Sequence, residues 1–169
     1  GNKMDKFDII TAVFDITYKC NDACSFCFNK KYINKYGDMD FESIKKNYFY
    51  IKEKFNIDKI IISGGEPTLH KEFWELMDFF HNKIDTNIIV SLNTNCLIFS
   101  DDKIADKLSE FMKNSKLKSK QVSISVSSIN NKEKSFKYNS LKFKAIENTI
   151  KACANSDAIA YVVLTVTNH

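Results

Sequence analysis

The chain has 169 residues, enough for one domain with a sizeable core, since domains usually contain about 100–200 residues. Its hydrophobic share of 44% is typical of a globular protein, and its four glycines and single proline exclude collagen-like and turn-rich all-β folds. The net charge of +4 rests on lysine alone, because the sequence contains no arginine. Without the bidentate guanidinium group, the composition disfavours a nucleic-acid binder.

The cysteines and the hydropathy pattern indicate a cytoplasmic protein. Five cysteines is an odd number, and three of them fall within eight residues, which does not fit a disulfide scaffold. The sequence shows no apolar run near the ~20 residues of a membrane span and no signal-peptide pattern before the first strand. We expect residues 1–10 to be an N-terminal extension whose first three residues, Gly1-Asn2-Lys3, are a cloning remnant.

Short aliphatic runs alternate with helical patterns along the chain. The runs predict strands at 11–17, 59–63, 87–93, 121–127 and 160–167. Between them, four helices are predicted: one after an Asp40 N-cap, one through Phe73, Leu76, Met77 and Phe80, one after a cap at Ser100-Asp101-Asp102, and one that buries Phe143, Ile146, Ile150 and Cys153. This alternation predicts an α/β fold with a parallel sheet, but it does not distinguish a barrel from a doubly wound sheet.

The predicted strands place polar residues on one face and mostly aliphatic residues on the other. The polar face carries Asp15, Thr17, Ser63, Ser91, Asn93, Ser123, Ser125, Ser127, Thr165 and Thr167. An antiparallel sheet with one wet face shows the same alternation. The intervening helices favour a parallel sheet instead, with a ligand held in a polar interior near the carboxyl ends of the strands.

A cysteine cluster follows the first strand, in the segment Cys20-Asn21-Asp22-Ala23-Cys24-Ser25-Phe26-Cys27. Thiolates at this spacing suit an iron–sulfur cluster. Three cysteines cannot ligate all four irons of a [4Fe–4S] cluster, so one iron would keep an open position, as in catalytic metal sites. The alternatives are a cysteine stripe on a buried helix, a zinc site completed by His70 or His81, and unrelated free thiols.

The second strand runs directly into Gly64-Gly65-Glu66-Pro67, which contains half of the glycines and the only proline. Paired glycines at a strand end permit a close approach that side chains forbid. Their carbonyl groups, with the Glu66 carboxylate nearby, suit an ammonium group. The alternative is a plain strand-to-helix turn in which Pro67 ends the strand.

Taken together, the two motifs resemble the radical S-adenosylmethionine (radical SAM) superfamily. They are a C-x3-C-x2-C pattern with an aromatic residue before its last cysteine and, about 40 residues later, a strand ending in GGEP. Asn93-Thr94-Asn95 looks like the superfamily's Thr-Asn-Gly segment, and Ser123–Ser127 looks like its Ser-Leu-Asp segment. The pattern is closest to the branch of the molybdenum-cofactor cyclase and the SPASM-type peptide maturases. The resemblance implies a partial (β/α)6 TIM-like barrel over 11–169, apparently truncated after strand five.

The resemblance also implies a role for each matched residue. Cys20, Cys24 and Cys27 would bind a [4Fe–4S] cluster whose open iron is chelated by S-adenosylmethionine. Phe26 would lie beside the adenine. Gly64, Gly65 and Glu66 would receive the methionine ammonium group, and Thr94 and Ser125 would contact the carboxylate or the ribose. Pro67, Asn95 and Ser127 complete the cofactor-binding residues that the resemblance implies.

The implied activity is reductive cleavage of S-adenosylmethionine to a 5′-deoxyadenosyl radical that abstracts hydrogen from a substrate, with a peptide as one option. The electron would come from a reduced flavodoxin or a ferredoxin-type donor. Two alternatives are an activating enzyme for a glycyl-radical enzyme and a non-catalytic iron–sulfur or zinc module. The sequence departs from the family pattern at Cys96, where glycine is usual, and at Ser127, where aspartate is common. Cys96 is most simply a small buried residue.

Overall fold

The computed structural model of the protein describes residues 7–22, 31–126 and 135–165, which form one five-stranded sheet and four α-helices. The strands are β1 (Phe7–Asp15), β2 (Phe55–Ser63), β3 (Ile89–Thr94), β4 (Lys120–Val126) and β5 (Ile159–Leu164). The helices are α1 (Phe41–Lys54), α2 (Phe73–Asn82), α3 (Asp102–Asn114) and α4 (Phe136–Ala154). Short 3₁₀ helices at Pro67–Leu69 and Leu97–Ser100 follow β2 and β3.

The strands lie in the order β1-β2-β3-β4-β5, and each pairs in parallel with its neighbour. Each connection contains one helix, and right-handed crossovers that always advance in one direction put these helices on the same face of the sheet. A doubly wound sheet would instead reverse its strand order part-way. The prediction of a partial (β/α) barrel is therefore confirmed, and the doubly wound alternative is excluded.

The helix-facing side of the sheet forms the hydrophobic core. Its strand residues are almost fully buried: Ile60, Ile62, Val90, Leu92, Val122 and Ile124. They pack with Phe80 of α2 and Leu108 of α3 in one cluster. The opposite face is the barrel interior, where Ser91, Asn93 and Ser123 line a common cavity as their parity predicts. Thr17 is an exception, because it lies beyond the end of β1 and is buried.

Two strands begin four residues earlier than the sequence predicts. β1 starts at Phe7, inside the expected extension at 1–10, and β2 starts at Phe55, directly after α1. Phe55 has extended backbone angles, so the residue that continues the apolar pattern of α1 already belongs to the sheet. The exposed residues Asn56 and Asp58 hide the beginning of β2, because they interrupt its apolar run.

The buried face of α4 differs from the predicted one. Ile146 and Cys153 are buried, but Phe143 is 52% exposed and Ile150 is 41% exposed. The observed face runs through Lys142, Ala145, Ile146, Thr149, Ala152 and Cys153. Lys142 can be buried because its ammonium group donates to the Asn95 and Ser125 carbonyl oxygens, and Thr149 because its hydroxyl group donates to the Ala145 carbonyl oxygen. None of the helices in the described ranges combines the length and the apolarity that a membrane crossing requires.

Candidate cofactor site

The Gly64-Gly65 pair lets the chain after β2 lie directly against the segment that leads into Cys20. A Cβ atom at Gly64, where φ is +139°, would lie 2.3 Å from the Thr17 carbonyl oxygen. A Cβ atom at Gly65 would lie 2.4 Å from the Lys19 carbonyl oxygen. Two backbone hydrogen bonds join the segments, from Gly65 N to Thr17 O at 2.8 Å and from Glu66 N to Lys19 O at 2.7 Å. The close approach expected at the glycines is therefore to the chain's own backbone.

Asp38 holds the segment before Cys20 from its other side. Its carboxylate accepts a 2.8 Å hydrogen bond from Thr17 Oγ1, forms a 3.0 Å ion pair with Lys19, and accepts a 3.1 Å hydrogen bond from Lys71 N. Burial alone would raise the pKa of Asp38, but the hydrogen bonds from Lys71, Lys19 and Thr17 lower it below its ordinary value. The Asp38 carboxylate therefore stays ionised at neutral pH.

Cys20 itself is positioned by Asn34. The backbone N–H of Cys20 donates to Asn34 Oδ1 at 3.1 Å, and Asn34 Nδ2 donates to the Cys20 carbonyl oxygen at 3.3 Å. The Cys20 thiol is half-buried, forms no disulfide, and lies 3.1 Å from the Asp22 carbonyl oxygen. The two hydrogen bonds with Asn34 fix the backbone at Cys20, the first of the three predicted thiolate ligands.

The Glu66 carboxylate ties GGEP to the end of β3. Glu66 is 1% exposed. Its Oε2 accepts hydrogen bonds from Thr68 N at 3.2 Å, from Thr68 Oγ1, and from Thr94 Oγ1 at 2.7 Å, while Oε1 accepts from Asn95 N at 2.7 Å. Burial raises the pKa of the Glu66 carboxyl group, and these hydrogen bonds oppose the shift. Both carboxylate oxygens are thus engaged in holding Thr94 and Asn95 in place.

Asn95 links three loops at the carboxyl ends of the strands. Its side-chain Nδ2 donates to Asn21 Oδ1, in the cysteine segment, at 2.8 Å. Its carbonyl oxygen accepts a hydrogen bond from the buried Lys142 ammonium group, which also donates to the Ser125 carbonyl oxygen at 2.9 Å. Asn95 and Ser125, which the sequence assigns to the cofactor site, are therefore connected through one lysine.

The first turns of α4 reach the cysteine segment directly. Tyr138 lies one helical turn before Lys142, so both side chains share one face of α4. The Tyr138 hydroxyl donates to Asp22 Oδ2 at 2.7 Å. Together the two residues connect α4 to the cysteine segment and to the ends of β3 and β4.

Cys96 has a left-handed backbone conformation, which explains why glycine is usual at this position of the family pattern. Its φ is +58°, in the left-handed region, which costs roughly 1–2 kcal/mol for a residue with a side chain. The side chain is fully buried, and burial raises the pKa of the thiol to about 11. A thiol that stays protonated at neutral pH fits the interpretation of Cys96 as a small core residue.

Neither histidine of the predicted zinc alternative is available as a ligand here. His70 Nδ1 accepts a hydrogen bond from Glu72 N at 2.9 Å, so His70 Nε2 carries the proton and donates to Met39 O at 2.8 Å. His81 is 1% exposed, its Nδ1 lies 2.8 Å from Ser115 Oγ, and burial lowers its pKa to about 3. Both side chains are structural.

The structure brings together six of the residues that the sequence assigns to the site, namely Cys20, Gly64, Gly65, Glu66, Thr94 and Asn95. Pro67 begins the 3₁₀ helix capped by Glu66. Cys24, Cys27, Phe26 and Ser127 lie outside the described residues. Within 7–22, 31–126 and 135–165, no group of three or more His, Cys, Asp or Glu side chains is placed to hold a metal ion. The roles of these residues as ligands remain predictions.

Sequence reasoning missed Asn34, Asp38, Tyr138 and Lys142. Three of them lie in loops or on a mostly exposed helix turn, where no periodicity marks them. Lys142 carries a signal, because it continues the i, i+3, i+4, i+7 spacing of Ala145, Ile146 and Thr149 toward the N-terminus of α4. A lysine in line with a buried stripe indicates a buried ammonium group with partners.

The family comparison identifies the chain. A family model described as the radical SAM superfamily matches residues 14–168. The chain belongs to this superfamily. Radical SAM proteins generally use S-adenosylmethionine and a [4Fe–4S] cluster and require a reductant, and they are enzymes. The predicted membership of the radical SAM superfamily is therefore confirmed.

Several curated radical SAM relatives match part of the chain. A protein of Methanocaldococcus jannaschii, provisionally named a glycyl-radical enzyme activating enzyme, is 34% identical over 93 residues, which are 55% of this chain and 34% of the relative. The mycofactocin maturase of Mycobacterium tuberculosis is 31% identical over 70 residues, 41% of this chain and 18% of the relative. The S-adenosylmethionine-dependent nucleotide dehydratase of Selenomonas ruminantium is 31% identical over 89 residues, 53% of this chain and 31% of the relative. The chain spans about a third or less of the length of each.

Proposed function

We propose that this protein reductively cleaves S-adenosylmethionine at a [4Fe–4S] cluster bound by Cys20, Cys24 and Cys27, and that the resulting radical abstracts hydrogen from a substrate. One observation carries the proposal. The two glycines of GGEP press that motif against the backbone leading into Cys20, through hydrogen bonds of 2.8 and 2.7 Å. GGEP therefore adjoins the start of the cysteine motif at Cys20, which supports one shared site in a chain that matches the family over 14–168.

The thiolate donor set fits an iron–sulfur cluster, because thiolate is the usual ligand of its irons. When bound, the cluster supplies the electron that splits S-adenosylmethionine into methionine and the 5′-deoxyadenosyl radical. Cys20 offers its sulfur from a backbone already fixed by Asn34 and by the pairing with GGEP. A ligand on a rigid support needs less ordering when the cluster binds.

The cofactor-binding residues divide into two groups in this proposal. The backbone carbonyl groups of Gly64 and Gly65 receive the methionine ammonium group, with the charge of Glu66 close behind them. The Glu66 oxygens themselves hold Thr94 and Asn95. Ser125, an exposed residue on the interior face of β4, contacts the carboxylate or the ribose. Phe26, Pro67 and Ser127 keep the cofactor contacts that the sequence predicts.

The proposed substrate is a peptide, a protein or a small molecule. The Methanocaldococcus relative favours a second candidate function, the activation of a glycyl-radical enzyme as protein substrate, because its match covers 55% of this chain. The mycofactocin maturase and the nucleotide dehydratase point to other substrates. The proposed electron donor is a reduced flavodoxin or a ferredoxin-type protein.

Anaerobic reconstitution tests the activity. The loaded chain is mixed with dithionite and S-adenosylmethionine, and 5′-deoxyadenosine is measured by chromatography. We expect product from the wild type. Iron per chain should fall in the Cys24→Ala variant and stay at the wild-type level in Cys153→Ala, a matched control whose thiol is buried in the core. Absence of 5′-deoxyadenosine from a loaded chain, or unchanged iron in Cys24→Ala, would contradict the proposal.

A further inference from the structure

The interior face of the sheet lines a cavity that the cofactor network does not use. Its volume is about 370 Å³, within the range of roughly 300–1,000 Å³ typical of small-molecule sites. Six polar or charged side chains from β2 to β5 line it: Lys59, Ser91, Asn93, Gln121, Ser123 and Tyr161. Two apolar residues of the same strands complete the lining.

The six side chains form no hydrogen bond or ion pair with any residue in the part of the chain that the structure describes. The polar groups at the carboxyl ends of the strands behave differently, since Glu66, Thr94, Asn95 and Lys142 all bind neighbouring residues. Ser91, which is only 3% exposed, is one of the polar residues that line this cavity. Convergent, unpaired donors and acceptors around one cavity therefore indicate a ligand.

The charge of the cavity defines the kind of ligand. Lys59 is the only charged residue among the described residues that line it. An ammonium group in a half-buried position binds an anion more strongly than it would in open solvent, because screening by water and salt is weaker there. Hydroxyl and amide groups beside it add hydrogen bonds suited to oxygen atoms of an anion.

Strand register gives the distance between this charge and the cofactor site. Lys59 of β2 lies beside Ile89 of β3. Two residues further along the strands, Ser91 of β3 lies between Ile61 of β2 and Gln121 of β4. Ser123 pairs with Asn93 and Tyr161 above them. Lys59 precedes Ser63, the last residue of β2, by four positions, which is about 13 Å of strand. The cation therefore lies at the far end of the interior from the radical site.

We propose that this cavity binds the anionic end of a small substrate, a carboxylate or a phosphate group, with Lys59 as the specificity-determining residue. Ser91 and Gln121, which lie level with Ile61, hydrogen-bond to the same end of the substrate, and Ser123, level with the end of β2, contacts the part nearer the reacting carbon. This inference rests on the proposed function, because it supposes that the reacting carbon lies at the carboxyl ends of the strands. The substrate then carries its negative group within about 13 Å of the carbon that loses hydrogen.

Calorimetric titration of the reconstituted chain, without dithionite, tests the proposal with three probes. Pyrophosphate represents phosphate, succinate represents carboxylate, and 1,4-butanediol is an uncharged control of similar length to succinate. We expect at least one of the two anions to bind and the diol not to bind. Lys59→Met should weaken anion binding about tenfold or more, and Lys59→Arg should restore part of it. Lys46→Met, which removes an exposed lysine of α1, should leave binding unchanged.

Each outcome decides one question. Binding of pyrophosphate alone assigns a phosphate-bearing substrate, and binding of succinate alone assigns a carboxylate. The proposal is overturned if neither anion binds, if Lys59→Met binds like the wild type, or if Lys46→Met weakens binding equally. Gln121→Ala provides a second variant, expected to weaken binding severalfold, and circular dichroism checks the fold of both. Production of 5′-deoxyadenosine by the wild type is measured separately, so failure of anion binding is distinguishable from failure of the proposed chemistry.

Discussion

Alanine in place of Gly65 should damage the cofactor site, whereas alanine in place of Gly37 should not. The Cβ atom that Gly65→Ala introduces would lie 2.4 Å from the Lys19 carbonyl oxygen, and ordinary contact begins at 3.4 Å, so one segment must move by about 1 Å. That movement would stretch the hydrogen bonds from Gly65 N and Glu66 N beyond bonding distance. A Cβ atom at Gly37 meets nothing within 4 Å.

The expected cost of Gly65→Ala follows from these contacts. Each lost backbone hydrogen bond contributes about 1 kcal/mol net, so the free energy of unfolding should fall by about 2–3 kcal/mol once residual strain is included. Because Cys20 directly follows the displaced Lys19, we also expect less iron per chain after anaerobic reconstitution and weaker binding of S-adenosylmethionine.

Urea unfolding, iron analysis and calorimetric titration with S-adenosylmethionine measure the three effects, with Gly37→Ala as the matched control. Equal free energies of unfolding and equal iron contents in Gly65→Ala and Gly37→Ala would refute this expectation. A Gly65→Ala variant that lost stability but kept wild-type iron content and cofactor affinity would show that the glycine pair supports the fold and not the cofactor site.

Three further predictions concern buried or bridging groups. His81 has a pKa of about 3 in the folded protein and about 6.5 in the unfolded chain. The unfolded chain therefore binds a proton first, and the free energy of unfolding falls as the pH drops below 6.5. Between pH 7.5 and 5 this costs about 2 kcal/mol, and urea unfolding of His81→Gln should lack that part of the slope. Tyr138→Phe removes the hydrogen bond to Asp22 and should speed the loss of iron to a chelator, whereas Tyr50→Phe on the exposed side of α1 should not. Glu66→Gln puts an amide donor opposite N–H and O–H donors, and its free energy of unfolding should fall by about 2 kcal/mol in urea.

Each of these predictions has a contradicting result. An identical acid slope in the wild type and His81→Gln would show that other groups cause the loss. Equal rates of iron loss to the chelator in the two tyrosine variants would show that α4 does not stabilise the cysteine segment. Wild-type stability of Glu66→Gln would show that the carboxylate contributes little to holding the end of β3.

The sequence predicted the parts of the fold that depend on local pattern. Asp40 and Asp101 were expected to begin helices, and both side chains accept hydrogen bonds from the first turn of α1 and α3. The alternation along the strands placed Ser91, Asn93 and Ser123 on one polar face, and these residues do line a common cavity. Short-range spacing is sufficient for such features because capping and side-chain alternation are local.

The connections within the site could not be predicted, because they depend on how distant segments meet. Glu66 and Asn95 are 29 residues apart in sequence, and their contact depends on the parallel register of β2 and β3. The spacing of α4 places Lys142 in the buried stripe, but its partners, the Asn95 and Ser125 carbonyl oxygens, cannot be read from the sequence. The predicted buried face of α4 was wrong because a hydropathy pattern favours burial of Phe143 over burial of Lys142.

The hydrogen bond between Asp22 and Tyr138 spans 116 residues of sequence, and this separation has a consequence for folding. Closing so long a loop costs chain entropy that only assembly of the intervening strands can offset. We therefore expect the cysteine segment to acquire its final arrangement late, after β4 and α4 have joined the sheet. A ligand that binds only this arrangement stabilises the whole domain by mass action, so loading of the site would act as a checkpoint for complete folding.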